Sequence, residues 1–278
     1  MKNLSQRYGS YAVVTGASSG IGEQFAHQLA ASGMDLVLVA RGKDRLDALG
    51  EELTRRYQIT TETIALDLLA DDAAAELVRR TEHLDVGLVI ANAGNFVAGP
   101  FLHNDLAAEL DVLKLNAFVP LQLAHQYGQR FAERGRGAII LVSSTVGAGP
   151  APYLANYGAA KAYVLSLGQA LSLEFKKVGV DLLVVTPGPT KTPAVAHADG
   201  IDFGKLPVPM SAPEKVARTA LKNLGRRGHV VVGAPNKIMD LMGKFLMPRP
   251  VSNRMYGWLI FRALDEDNRG ITQHTQKA

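Results

Sequence analysis

Ser144, Tyr157 and Lys161 carry side chains that could do acid–base chemistry together. Tyr157 and Lys161 stand four apart, so a helix through this stretch would set phenol and ammonium on one face, a turn apart. A phenol has an ordinary pKa near 10 and is a poor proton donor or acceptor at neutral pH. A positive charge about 4 Å away, at an effective dielectric of about 20, contributes roughly 4 kcal/mol. That is enough to bring a tyrosine close to neutrality, so Lys161 is expected to lower the pKa of Tyr157. None of the other seven tyrosines has a lysine four residues on. Such a pair also arises by chance on helix surfaces, and its meaning depends on the elements that hold it.

Those elements alternate along the chain. Short apolar runs at 11–14, 35–40, 61–66, 86–91, 138–142, 181–185 and 230–232 are separated by amphipathic stretches at 21–31, 43–57, 71–81, 155–176 and 213–224, with two more between 105 and 134. Most of the short runs are continuously apolar, the pattern of strands covered on both faces. Strand–helix alternation of this kind predicts an α/β fold with a doubly wound parallel sheet. Gly33 closes the first helix, and Ser211-Ala212-Pro213-Glu214 opens the last of those stretches. No repeat or linker divides the chain. The expected organisation is one catalytic domain over 1–235 with a helical extension over 236–278. The Pro- and Gly-rich segment 187–210 is the one long connection, a length typical of functional loops.

The first strand runs into Thr15-Gly16-Ala17-Ser18-Ser19-Gly20-Ile21-Gly22. Glycines at a strand-to-helix turn let backbone amides approach a pyrophosphate, and the helix N-terminus adds oriented N–H groups. The turn is therefore expected to bind a dinucleotide. At the end of the second strand an acid would favour NAD, whereas an arginine would accept a 2′-phosphate. The chain has Ala40-Arg41-Gly42-Lys43 there, so Arg41, helped by Ser18, points to NADP.

Composition narrows the alternatives. Of 278 residues 47% are apolar and 20% charged, as in an ordinary globule, and no run reaches the roughly 18 apolar residues of a membrane span. The polar first ten residues lack a signal-peptide core, and the chain has no cysteine, so a cytoplasmic protein without disulfides or thiolate metal sites is expected. No histidine spacing suggests a metal. The net charge is +4, but seven Lys/Arg against Asp240 alone between Arg226 and Arg262 make that segment +6 and the remainder −2. A basic tail end on a near-neutral body gives no reason to expect nucleic-acid binding.

With these motifs in order, residues 10–235 resemble the short-chain dehydrogenase/reductase family. The matching elements are the turn Thr15–Gly22, Asp67 after the third strand, Asn92-Ala93-Gly94 after the fourth, Asn116, the Ser144/Tyr157/Lys161 set, and Pro187-Gly188 followed by Thr192. One departure is Ala91, where the family often has another asparagine. The resemblance implies a cofactor site of Gly16, Ser18, Ser19, Gly20, Ile21, Gly22, Arg41, Asp67, Asn92, Ala93, Gly94, Tyr157, Lys161, Pro187, Gly188 and Thr192. It also implies hydride transfer from NADPH to a carbonyl. Tyr157 would act as proton donor and Ser144 would hydrogen-bond the oxygen. Lys161 would hold the nicotinamide ribose and tune the tyrosine. Asn116 would kink its helix and hold a water near Lys161. Ser143 is the rival serine, and the family spacing favours Ser144.

Around these residues lie Val146, Gly147, Ala148, Pro150, Pro152, Tyr153 and Leu154, with Val195, Ile201, Phe203 and Leu206 on the long loop. No basic cluster stands among them, which favours an apolar ketone, aldehyde or secondary alcohol, sterols and fatty carbonyls included. A dehydratase or epimerase using the same tyrosine, and a non-catalytic NADP-binding regulator, are the alternatives. A homodimer or homotetramer is expected. Ile238, Leu241, Met242 and Phe245 share a helical face flanked by Lys237 and Lys244, and Met255–Phe261 is a second apolar run. These fit a helix on its own core, a subunit interface, a substrate lid or a peripheral membrane contact.

Overall fold

The structure, a computed structural model, describes residues 4–245 and 249–269. Seven parallel strands form one sheet in the order β3-β2-β1-β4-β5-β6-β7. They are β1 Tyr11–Thr15, β2 Asp35–Ala40, β3 Thr61–Ala65, β4 Val86–Ala91, β5 Gly137–Val142, β6 Val180–Thr186 and β7 His229–Val231. The helices are α1 Leu4–Tyr8, α2 Gly20–Ala30, α3 Lys43–Tyr57, α4 Ala73–Arg80, α5 Leu106–Leu113, α6 Val119–Glu133, α7 Ala155–Lys176, α8 Pro193–Ala196, α9 Pro213–Asn223, α10 Ala234–Phe245 and α11 Arg249–Ala263. This is the doubly wound parallel architecture read from the sequence, with most element ends within one or two residues of the expected positions.

The strand sequences explain why both faces are covered. Every residue of β4 and β5 is buried, so a helix layer is needed on each side. On one face Phe25, Leu29, Leu46, Leu53, Val216 and Leu221 from α2, α3 and α9 pack on the sheet. On the other face Leu77, Leu123, Tyr127, Phe131 and Val164 from α4, α6 and α7 do the same. Strand order reverses between β1 and β4, and at such a switch the loops leave in opposite directions and open a crevice at the strands' C-terminal ends.

Two local features shape that crevice. The two helical stretches expected between 105 and 134 form one rod, α5 and α6 joined by a π-helical turn at Lys114–Phe118. Asn116 lies in this turn and its Nδ2 donates to Val112 O at 2.9 Å, so its side chain intrudes on the backbone ladder and the helix widens. Above the sheet a third apolar cluster gathers Ala98, Ala151, Leu154, Ile201, Ile260 and Leu264 from four separate segments. Its backbone is tied by Asp202 N to Ala263 O at 2.7 Å and Asp265 N to Gly200 O at 3.1 Å. Of the apolar face expected on α10, Ile238 and Leu241 are exposed, while the side chains of Met242, Lys244 and Phe245 lie outside those described.

Candidate active site

The ends of β1 and β4 are stitched together by polar groups. Thr15 Oγ1 donates to Ile90 O at 3.1 Å and accepts from the backbone N–H of Asn92 (3.0 Å) and Ala93 (3.2 Å). Asn92 Nδ2 returns a bond to Thr15 O at 3.0 Å. This network fixes the glycine turn against the loop after β4. Gly16 and Gly20 adopt φ of +66° and +58°, the left-handed region that a side chain disfavours. A Cβ on Gly16 would lie 2.9 Å from Asn92 Nδ2, and one on Gly20 2.9 Å from Thr192 Cγ2.

From this turn a cleft of about 590 Å³ runs across the sheet end to α7 and α11. Ser18, Ser19, Ile21, Arg41 and Asp67 line it together with Gly16 and Gly20. Asn92, Ala93, Gly94, Asn116, Ser144, Tyr157, Lys161, Pro187, Gly188 and Thr192 also line it. Gly22 is the one candidate that does not. A Cβ there would collide with Gly16 O, so its place is in packing the helix against the turn.

Burial sets the electrostatics. Lys161 is 4% exposed and its Nζ donates to Val142 O at 2.9 Å. Removal from water pushes its pKa down to about 8. Burial also raises the pKa of Tyr157, opposed by a hydrogen bond with Ser144. The expected depression of the phenol by Lys161 is therefore corrected: burial decides the direction, and the group that opposes it is Ser144. The Lys161 Nζ lies 5.7 Å from the Tyr157 ring centroid, farther than the distance assumed from the spacing. A phenol that keeps its proton at neutral pH, beside a lysine whose own proton is lost more readily than usual, is a set that can give a proton.

The serines separate clearly. Ser143 Oγ donates to Lys161 O at 2.8 Å and serves to hold α7 against β5. Ser144 faces the phenol. Asn116 Nδ2 is spent on Val112 O, Asn95 O at 2.8 Å and Asn95 Oδ1 at 3.1 Å, whereas its Oδ1 is buried and accepts from no described group. A Cβ on Gly94 would lie 2.6 Å from that oxygen and 3.6 Å from Lys161 Nζ, so glycine keeps this corner open.

These features fit a bound phosphorylated dinucleotide. The glycine cradle leaves its amides accessible, and Arg41 and Arg45 line the cleft beyond β2 without a hydrogen-bond or ion-pair partner among the described residues. No carboxylate lines the cleft at the end of β2 to repel a phosphate; Asp67, after β3, has Oδ1 accepting from Leu69 N at 3.0 Å.

Arg45, Phe96 and Asn236 escaped the sequence reading, whereas Tyr256, Leu259 and Ile260 fall in the Met255–Phe261 run for which a substrate lid was one expectation. Arg45 follows Arg41 at a spacing of four across the start of α3, a signal available in the sequence. Phe96 packs tilted against Tyr157 at 5.7 Å and edge-on against Phe203 at 5.5 Å, and follows the Asn92-Ala93-Gly94 motif by two residues. Asn236 abuts Gly188, and Tyr256, Leu259 and Ile260 of α11 wall the outer end. No spacing connects these four to the rest. Of the apolar residues expected near the substrate, Val146, Ala148, Leu154, Val195, Ile201, Phe203 and Leu206 line the cleft. Gly147, Pro150, Pro152 and Tyr153 do not; Tyr153 packs instead on Phe261 at 5.9 Å.

Comparison with known proteins bears on the family and the fold. The family model for short chain dehydrogenases matches residues 10–200. A 7beta-hydroxysteroid dehydrogenase of Mediterraneibacter gnavus is 32% identical over 236 residues, covering 84% of this chain and 90% of the relative. A structure solved for work on 7beta-hydroxysteroid dehydrogenase stereoselectivity superposes with a TM-score of 0.84 at 29% identity, covering 92% of this chain and 99% of that one. A short-chain dehydrogenase from Sphingobium yanoikuyae in complex with NADPH gives 0.75 at 33% identity, over 84% and 92%.

Proposed function

The chain belongs to the short-chain dehydrogenase family, and from that premise we propose an NADP(H)-dependent enzyme that interconverts a bulky apolar ketone and its secondary alcohol. The observation that carries this reading is the buried phenol of Tyr157. It faces Ser144 beside Lys161, where the glycine-lined half of the cleft meets an apolar half. The relatives acting on hydroxysteroids and binding NADPH support the same class of substrate and cofactor.

The turn amides, Ser18, Arg41 and Arg45 would hold the phosphates, and Asp67, Asn92–Gly94, Lys161, Pro187, Gly188 and Thr192 the remainder of the nucleotide. When bound, the cofactor supplies the hydride exchanged with the carbonyl carbon. Tyr157 is protonated at neutral pH and gives its proton to the carbonyl oxygen as negative charge develops there. Ser144 donates a hydrogen bond to that oxygen and keeps it in line with the phenol. Lys161 favours the phenolate that remains, because its Nζ lies 5.7 Å from the ring centroid. Phe96, Phe203, Leu259 and Ile260 exclude water and offer an apolar wall to the substrate.

A screen of NADPH consumption over sterols, bulky ketones, aldehydes and acyl carbonyls, with NADH alongside, tests the reading. Failure of every carbonyl to oxidise NADPH would sink it. Turnover without net change in NADPH would favour the dehydratase or epimerase alternative.

Self-association is part of the proposal. Leu106 and Leu110, one turn apart on α5, are 68% and 58% exposed, and Leu102 before them is 91% exposed. An apolar row of this kind fits a contact between copies. Light scattering of Leu106→Glu/Leu110→Glu should report a smaller particle than the wild type.

A further inference from the structure

Helix α11 presents two faces, and only one is used by the cleft. Tyr256, Leu259 and Ile260 point into the cavity, and Ala263 is buried beneath. On the opposite side Val251, Arg254, Trp258 and Arg262 follow at spacings of three and four and are all exposed. Trp258 and Val251 show 55% and 54% of their surface, and the Arg262 guanidinium stacks 4.8 Å above the indole. A helix that buried one face for stability alone would have no use for a valine and a tryptophan exposed between the arginines of the other. We propose that this outer face docks on an anionic lipid surface, with Trp258 at the headgroup level and Arg254 and Arg262 on lipid phosphates.

Charge decides between a lipid surface and a second copy of the chain. The outer face of α11 carries Arg254 and Arg262 and no acid among its described residues, so a two-fold contact through it would set like charges against each other. An anionic bilayer complements them. Glu266 and Asp267, exposed just past the helix, end the basic stretch. An amphipathic ring with an arginine beside it is the side-chain combination that suits a membrane–water interface. The same helix walls the apolar cleft, so a substrate dissolved in the bilayer would meet the cavity across one helix. That last step rests on the reading of the substrate as apolar; the docking itself does not.

Trp258 is the chain's single tryptophan, which makes the test direct. Full-length protein is mixed with phosphatidylglycerol/phosphatidylcholine vesicles or pure phosphatidylcholine vesicles. Sedimentation, Trp emission and quenching by brominated lipid are read together. The expected result is salt-sensitive binding to the anionic vesicles only, with a blue-shifted and quenched emission. Arg254→Glu/Arg262→Glu should weaken partition at least about tenfold. Trp258→Ser should also weaken it, and both variants should keep particle size and NADPH-linked reduction of a water-soluble ketone. Unchanged emission with no binding at low salt overturns the proposal. So does a change of particle size in these variants without a change in partition, since the face would then join copies of the chain. Vesicle binding by a protein that reduces no ketone would leave the docking standing and remove the activity reading.

Discussion

The two halves of the cleft are built in opposite ways. The cofactor half is made of backbone and small residues on the turns that leave β1, β2, β4 and β6, and its free charges are Arg41 and Arg45. The outer half is made of side chains from four distant segments, represented by Phe96, Leu154, Phe203 and Leu259, and it holds no charged residue among those described. A phosphorylated nucleotide needs amides and cations at set places, and these come from fixed positions along strand ends. An apolar substrate needs only a surface that water leaves, which many side-chain combinations supply. The first half should therefore be intolerant of small changes, and the second should shift its preference without losing the reaction.

Tyr157→Phe should produce the largest effect, because the residue sits where the halves meet. Turnover should fall about 10²–10⁴-fold, the range for a positioned acid, with NADPH affinity unchanged. A near wild-type rate in stopped-flow measurements would remove Tyr157 from the chemistry.

Lys161 should reveal the cost of placing a charge at that junction. Its folded pKa is about 8 against 10.5 in the unfolded chain, so between those pH values the unfolded state binds the extra proton. Wild-type stability should rise with pH across that window by up to about 3 kcal/mol relative to Lys161→Met, and below pH 8 the full burial cost remains. Parallel urea-unfolding curves for the two proteins from pH 7 to pH 10 would contradict this.

On the cofactor side, Arg41→Asp should move the NADPH/NADH preference by about 10–100-fold, the worth of one or two charge-assisted hydrogen bonds. If discrimination barely changes, Arg45 carries the phosphate instead, and the double variant would then show the loss. On the outer side, Leu259→Ala should alter kcat/KM for bulky ketones by about tenfold while leaving NADPH affinity as it was. A comparable loss of cofactor binding would mean that the halves are not independent.

Much of the cofactor half was legible in the chain. Gly16, Gly20 and Asn92–Gly94 fall in short contiguous motifs because each serves one turn at one strand end, and local sequence suffices to describe a turn. Asn116 was legible through the family pattern, and its π-helical turn follows from a side chain competing for Val112 O. The outer half was legible only as a run of apolar residues. Tyr256, Leu259 and Ile260 lie some hundred residues beyond Tyr157, and no local spacing marks a contact made through the third apolar cluster.

The pKa values belong to the same division. The four-residue spacing gave Lys161 and Tyr157 a common face but not a dielectric, and the burial of both side chains reversed the expected direction for the phenol. The sequence by itself determined the order of strands and helices and the glycine turn, since these depend on periodicity and residue type, and it supplied the candidates for proton transfer that the proposed function uses. Only the tertiary structure decided which serine faces the phenol, what walls the outer cleft and how far the ionisable groups depart from their values in water. Those depend on distance and desolvation, which exist only once the chain has closed around the site.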